Sequence, residues 1–207
     1  MLFYTGLEYA ASAVQNTRAL YILWAITGNV DVEGGLYIPS YPCDLPKEEI
    51  LPFGNIPIGA REYSVFYALT GKAHFVEFPK AVLSGNPYPI KALLIVGGSP
   101  YISYPQPSLW EKVYKQLEFM TVTDRFMVEE CKWADVVLPA ATHFEIESFL
   151  FDNGGISFRK KVIEPVGDAK NDVLIIAKIA QRLGYGHLFP KNEKEILQRA
   201  FTDKQDL

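Results

Sequence analysis

Short apolar runs alternate with helical patterns in the middle of the chain, over residues 91–142. The first run, Ala92–Val96, leads into a glycine-rich turn and a helical stretch, and a second run follows at Phe119–Thr123. A polar segment, for which we predict a short helix over residues 126–133, separates it from a third run at Val136–Leu138. Such alternation is typical of a buried parallel sheet. The pattern predicts an α/β fold with an open, mainly parallel sheet and helices on both faces.

The flanking segments carry further helical patterns and one hairpin pattern. An apolar stripe over residues 12–27 predicts a helix that ends at Gly28, whereas the proline density of residues 36–61 excludes a long helix or a central strand. After the sheet, β-prone segments on either side of Asn153-Gly154-Gly155 predict a β-hairpin excursion. Additional helices are predicted over residues 62–69, 78–83, 171–183 and 193–201.

Four segments follow from these patterns. They are a lead-in helix with a glycine-rich loop (residues 1–35), a proline-rich excursion with short helices (36–90), a nucleotide-binding-like α/β lobe (91–186) and a C-terminal helix (187–207). Ligands of open α/β sheets bind outside the carboxyl ends of the strands. We therefore expect the functional site where the first two predicted strands end.

Composition narrows the classes of function. The 207 residues are 49% hydrophobic and carry a net charge of −4, so the chain lacks the basic surface that nucleic-acid binding requires. The longest apolar patch, Ala19–Ile26, is too short for a membrane span, and no targeting signal is evident. Two cysteines and three scattered histidines indicate neither a disulfide framework nor a metal site. We expect no nucleic-acid partner, no membrane insertion and a cytoplasmic location, with export of a full-length parent left open.

Candidate ligand-binding residues lie at the ends of the first two predicted strands. Gly97 and Gly98 lack Cβ atoms, so their backbone amides can approach a pyrophosphate closely; the alternative is a tight strand-to-loop turn. Asp124 ends the second strand, where its carboxylate can accept two N–H donors of a ligand; the alternative is a helix cap. Glu129 is either a solvated charge or a partner of the loop amides.

Other chemically active side chains of this region are assigned no catalytic role. Asp135 is interpreted as a structural cap or turn residue, and Cys131 as a packing residue. A single histidine beside one acid is common by chance, so His143 and Glu145 are not assigned to acid–base catalysis.

The order and spacing of three segments resemble the molybdopterin oxidoreductase family, the enzymes related to dimethyl sulfoxide reductase and formate dehydrogenase. The segments read LLIVGGSP, LEFMTVTDRFMVEECKWADVVLPAATHFE and KKVIEPVGDAKNDVLIIAKIAQRLGYG, and the resemblance covers most of residues 6–186. The chain departs from the family's pattern at Ser99, where the family often has Asn. Val128 and Glu130 flank Glu129 where the family often has Thr, and NGGISFRKK replaces the usual Gly-Arg pair.

The resemblance implies a cofactor-binding lobe of a molybdenum or tungsten enzyme that carries molybdopterin guanine dinucleotide. It implies that the lobe holds the guanosine and pyrophosphate end of one such cofactor through residues at the matching positions. These are Gly97, Gly98, Ser99, Pro100, Asp124, Phe126 and Glu129. The metal and the pterin carry the redox chemistry in such enzymes, and the lobe binds and orients them. The family's cluster-binding cysteines and its metal ligand have no counterpart in this sequence.

The resemblance also implies a fragment of a larger catalytic subunit. Its expected partners are the remaining lobes and an iron–sulfur electron-transfer subunit, and the chain alone is expected to hold no cofactor and to lack redox activity. A lobe of this kind exposes apolar surface, so we expect self-association. The aromatic candidates are Tyr4, Tyr9, Tyr37, Tyr41 and Phe53. Two alternatives stay open: a stand-alone nucleotide-binding module, and a cofactor-free interaction domain that uses residues 36–67.

Overall fold

The structure is a computed structural model that describes residues 5–37, 56–152 and 155–201. The described residues form two compact units. One comprises residues 5–37 with 151, 152 and 155–157, and the other comprises residues 56–150 with 158–201. Most of the proline-rich stretch and the turn of the predicted hairpin, at residues 153 and 154, lie outside the described residues.

The helices and strands follow one another in the order that the sequence pattern predicts. The smaller unit holds α1 (Thr5–Glu8) and α2 (Ala13–Ile26). The larger unit holds α3 (Ser64–Thr70), α4 (Phe78–Ser84), β1 (Ala92–Val96), α5 (Pro100–Ser103), α6 (Pro107–Gln116), β2 (Phe119–Asp124) and β3 (Val136–Pro139). A hairpin of β4 (Ser148–Asp152) and β5 (Gly155–Arg159) precedes α7 (Asp172–Arg182) and α8 (Glu193–Phe201). Short 3₁₀ helices lie at Phe75–Glu77, Glu129–Lys132 and Gly186–Leu188.

The parallel sheet has the strand order β1-β2-β3. Val96 of β1 is paired with Thr123 of β2, and Asp124 of β2 is paired with Pro139 of β3. All three carboxyl ends therefore meet at one edge. This sheet, with the separate two-stranded hairpin, confirms the predicted α/β fold with an open parallel sheet.

The core of the larger unit lies between α6 and the central strand β2. Trp110, Val113 and Tyr114 follow the i, i+3, i+4 spacing of one helix face and are buried. Met120 and Val122 alternate along β2 and are buried as well. Each large apolar side chain buried in this way stabilises the fold by about 1.5–3 kcal/mol. The packing fixes the central strand, and with it the sheet edge where β2 ends.

Strand β1 is less buried than its apolar sequence predicts. Ile95 is buried, but the alternate residues Leu94 and Val96 are 48% and 41% exposed. β1 is an edge strand, and successive side chains of a strand point to opposite faces of the sheet. Because the described residues leave the outward face of β1 uncovered, the prediction of a buried strand is wrong at this position.

The predicted helix over residues 126–133 is shortened to a 3₁₀ turn at Glu129–Lys132. Val128, with a ψ angle of 165°, is extended and prevents an earlier start of the helix. The ends of other helices agree with the sequence, since Gly28 and Gly184 follow α2 and α7 in the left-handed conformation. In the part of the chain that the structure describes, no helix has the length and hydropathy needed to cross a membrane.

Candidate functional site

The carboxyl edge of the sheet brings the glycine-rich turn and Asp124 together. The Gly97 N–H donates to the Thr123 carbonyl at 2.9 Å and continues the ladder between β1 and β2 by one bond. Since Asp124 follows Thr123 directly, the turn and the carboxylate lie side by side. Both candidate sites from the sequence therefore belong to one region of the larger unit.

The turn itself presents free backbone donors. Gly97 and Gly98 have φ angles of +62° and +90°, a region that favours glycine, although a methyl group at either would meet no other heavy atom within 4 Å. The described residues supply no acceptor to the N–H groups of Gly98 and Ser99. Pro100 follows and has no N–H. The turn therefore offers two donors on an open surface.

A buried carboxylate, that of Glu130, holds the far side of this turn. It accepts hydrogen bonds from the Ser99 hydroxyl at 2.7 Å, the Tyr101 N–H at 2.7 Å and the Tyr114 hydroxyl at 3.2 Å. The Glu130 side chain is fully buried. Burial and the neighbouring Glu130 carboxylate raise the pKa of Tyr114 well above its ordinary value, so this hydroxyl keeps its proton and donates.

The sequence did not single out Glu130, because Glu129 and Glu130 are adjacent and chemically identical. In the structure Glu129 is partly exposed and bonds Lys132, which raises the pKa of that lysine. In this structure Glu129 therefore forms an ion pair with Lys132, and Glu130 accepts from the loop amide of Tyr101. Which of two consecutive glutamates faces inward depends on where the 3₁₀ turn begins, and Val128 determines that start.

Asp124 uses one of its carboxylate oxygens locally. Oδ1 accepts from the N–H of Phe126, two residues further along the chain, at 2.9 Å. This side-chain bond closes a short turn. The helix begins only at Glu129, so Asp124 does not cap it. The described residues make no hydrogen bond to Oδ2. Phe126 is 73% exposed, and the Arg125 guanidinium carbon lies 5.9 Å from the centre of its ring.

Two further charged residues, Arg125 and Asp172, lie at this edge, and the sequence analysis identified neither. Burial raises the pKa of Asp172, the nearby Arg125 opposes this rise, and the Asp124 carboxylate adds to it. A parallel bridge between Ala140 and Lys170 brings the start of α7 to the end of β3. Asp172 belongs to a helix far along the chain, so only the tertiary pairing of residues 140 and 170 reveals its position.

The remaining acidic candidates have structural roles. Asp135 Oδ2 accepts from the Met120 N–H at 2.7 Å and so connects the start of β3 to β2. Glu145 accepts from the N–H groups of Thr142 and Val166 at 2.6 and 2.8 Å, and these bonds lower its pKa. The structure describes no group of three His, Cys, Asp or Glu side chains suited to a metal within residues 5–37, 56–152 and 155–201.

Comparisons with known proteins show what this chain is similar to. The sequence model of the family described as molybdopterin oxidoreductase matches residues 5–182. The F420-dependent formate dehydrogenase subunit alpha of Methanocaldococcus jannaschii is 33% identical over 94% of this chain and 30% of its own length. The thiosulfate reductase molybdopterin-containing subunit PhsA of Salmonella typhimurium is 25% identical over 92% of this chain and 28% of its own length.

A solved structure shares the fold. Acetylene hydratase from Pelobacter acetylenicus superposes with a TM-score of 0.58 and 24% identity, over 63% of this chain and 19% of that one. The chain thus spans 30% and 28% of the length of the two curated relatives.

Proposed function

Because the chain belongs to the molybdopterin oxidoreductase family, as its sequence predicts, we propose that its larger unit binds the guanosine and pyrophosphate end of one molybdopterin guanine dinucleotide. One observation carries the proposal. A turn with two free N–H groups and a carboxylate with a free oxygen lie side by side at the carboxyl edge of a parallel sheet. Ligands of open α/β sheets bind at this edge.

The turn fits a pyrophosphate group. Phosphate oxygens accept hydrogen bonds, and the N–H groups of Gly98 and Ser99 are donors without a described protein acceptor. Left-handed glycines turn successive amides toward one side, which is a common way for a protein backbone to bind anions. Pro100 restricts the backbone after the donors and adds no competing N–H.

Asp124 and Phe126 fit the guanine base. Guanine presents two N–H donors on the edge where adenine presents an acceptor, so a carboxylate favours guanine. Oδ2 of Asp124 is free to accept one of these donors, and Oδ1 becomes free for the other when the turn to Phe126 opens. The exposed ring of Phe126 offers a face on which a base stacks.

The whole protein is proposed to be the catalytic subunit of a molybdenum or tungsten oxidoreductase. The metal and the pterin supply the redox chemistry when bound, and this lobe binds and orients them. Its proposed partners are the other lobes of the same subunit and an iron–sulfur electron-transfer subunit. A gene that encodes no further catalytic segments would instead favour the stand-alone nucleotide-binding module.

An NMR titration of the ¹⁵N-labelled chain tests the proposal. GDP carries the guanosine and pyrophosphate groups alone, ADP replaces the base, and inorganic pyrophosphate lacks the nucleoside. We expect GDP to shift the amide signals of Gly98, Ser99 and residues 124–126, pyrophosphate to shift only the turn, and ADP to bind more weakly than GDP. Absence of these shifts at millimolar GDP, or shifts confined to another part of the chain, would overturn the proposal.

A further inference from the structure

We propose that Glu130 is the positioning residue of this site: its buried carboxylate holds the turn so that the N–H groups of Gly98 and Ser99 face the pyrophosphate. The inference rests on the proposed function. Its basis is the convergence of three donors on one fully buried carboxylate that lies 31 residues from Ser99 along the chain.

The Glu130 carboxylate accepts hydrogen bonds from the residues on both sides of Pro100. One oxygen accepts from the Ser99 hydroxyl and the other from the Tyr101 N–H, each at 2.7 Å. The proline between them has a fixed φ angle, so the two bonds determine the backbone path that leads out of the turn. The Tyr114 hydroxyl, from the buried face of α6, bonds the same carboxylate and attaches it to the core.

Packing alone does not explain a charge at this position. Among the described residues no lysine, arginine or histidine forms an ion pair with Glu130, and its partners are two hydroxyls and one amide. Burial of a carboxylate without a cation is costly, and an apolar side chain would avoid that cost. A carboxylate has the capacity to accept from all three donors at once, which a neutral side chain of this size lacks.

The bond from Ser99 to Glu130 also determines which atoms of Ser99 are available to bind a phosphate. A hydroxyl has one proton, and that of Ser99 is committed to Glu130. Toward a ligand the Ser99 oxygen is therefore only an acceptor, and phosphate oxygens are acceptors too. The contact to the pyrophosphate consequently falls to the backbone N–H groups that the Glu130 carboxylate holds in place.

Three variants separate these effects. In Glu130→Gln the amide oxygen keeps Tyr101 and Tyr114, while the new NH₂ group donates to the Ser99 oxygen and releases the serine proton. In Glu130→Ala all three donors lose their acceptor, and in Ser99→Ala only one bond is lost. Glu118→Ala is the matched control, because this glutamate is exposed and precedes β2 at the opposite end of the strand.

Hydrogen exchange of the Tyr101 amide, which donates to Glu130, and GDP affinity are both measured by NMR on the full chain. We expect Glu130→Ala and Ser99→Ala to accelerate exchange in the turn and to weaken GDP binding, by about tenfold for Glu130→Ala, which corresponds to about 1.4 kcal/mol. Glu130→Gln should keep slow exchange and bind GDP at least as tightly as the wild type, since its Ser99 proton is free. Where Glu130→Ala does not fold, Ser99→Ala supplies the same comparison.

The outcomes distinguish this inference from the proposed function. A wild-type chain that does not bind GDP at the turn overturns the proposed function and this inference with it. A wild-type chain that binds GDP at the turn, with exchange or affinity unchanged in both Ser99→Ala and Glu130→Ala, overturns only the role of Glu130. Weakened GDP binding in Glu130→Gln to the level of Glu130→Ala would also contradict it, because the turn should persist in the amide variant.

Discussion

The hydrogen bonds that a carboxylate makes within the fold determine which of its oxygens are available to a ligand. Glu145 uses both of its oxygens to accept backbone N–H groups inside the fold. Asp135 and Asp124 each use one, but Asp124 lies at the carboxyl edge of the sheet beside the glycine-rich turn, with no hydrogen bond to Oδ2 from the described residues. At this scale Asp124 is the candidate base-binding residue, because one of its carboxylate oxygens accepts no hydrogen bond from the described residues. The distinction yields two predictions.

Asp124→Asn should reduce the preference for guanine. The amide oxygen can keep the bond to the Phe126 N–H, and the NH₂ group then takes the place of Oδ2 and faces the donors of guanine. A hydrogen bond to a charged group contributes about 1.5–3 kcal/mol, so GDP binding should weaken by about ten- to a hundredfold while ADP binding changes little. NMR titration with both nucleotides measures the ratio.

Asp168→Asn is the control for this substitution, because it removes the same charge from an exposed position. Equal losses for GDP and ADP leave the ratio of the two affinities unchanged. That result would show that Asp124 acts through general electrostatics and not in base recognition.

Glu145 should make stability depend on pH. The N–H groups of Thr142 and Val166 lower its pKa below the ordinary 4.5, so its contribution is present above that pH and is lost as the pH falls through the lowered value. The difference in unfolding free energy between the wild type and Glu145→Gln should be largest at neutral pH and shrink in acid. Urea unfolding at neutral pH and at about pH 3 measures it.

The exposed Glu118, replaced by Gln, provides the matched comparison. A Glu145→Gln difference that is the same at both pH values would show that the two backbone bonds do not favour the ionised carboxylate.

Residue identity predicted some of the site and not the rest. Strand ends are visible in the sequence, so Gly97, Gly98 and Asp124 were predictable as neighbours. The inward orientation of Glu130 and the presence of Asp172 at this edge depend on tertiary packing. Hydrophobic periodicity and residue propensities along the sequence do not predict such packing.

At the scale of elements, the start of α7 is fixed by its N-cap. The Asn171 side chain accepts from the Val173 N–H at 3.0 Å and is buried, where water cannot replace it. Asn171→Ala should therefore destabilise the larger unit by about 1 kcal/mol, within the usual range for a lost cap. Urea unfolding of the two proteins measures the loss.

Asn192→Ala is the matched variant, since Asn192 makes the same kind of bond to the Glu195 N–H in an exposed position at α8. We expect a smaller loss there because water can replace the bond. A loss at Asn192 equal to or greater than that at Asn171 would contradict the importance of burial at the α7 cap.

Elements with strong local signals were predictable and those that depend on neighbours were less so. The pattern located α7 and α8 within a residue or two, because apolar spacing and an asparagine cap act locally. The exposed face of β1 was not predictable, since an apolar run does not indicate what covers each side of a strand.

At the scale of the whole molecule, the described residues expose apolar surface, and the chain spans under a third of the length of the two curated relatives. In the smaller unit Tyr9 and Tyr37 are 87% and 57% exposed, and Leu94 and Val96 lie on the uncovered side of β1. The other aromatic candidates, Tyr4, Tyr41 and Phe53, lie outside the described residues. Surfaces of this kind favour association.

The chain should therefore self-associate as its concentration rises, and Leu94→Glu should reduce the association. Sedimentation velocity over a concentration series measures both effects. Gln116→Glu adds the same charge at an exposed position of α6 and should leave association unchanged. A wild-type chain that stays monomeric at high concentration would show that these surfaces need no partner.

A crystal structure of the chain with GDP tests the central claim most directly. It should place the pyrophosphate within hydrogen-bond distance of the Gly98 and Ser99 N–H groups, with the guanine N–H donors on the Asp124 carboxylate and Glu130 still bonded to Ser99 and Tyr101. GDP bound elsewhere, or bound at this edge with the base away from Asp124 and the phosphates away from the turn, would contradict it.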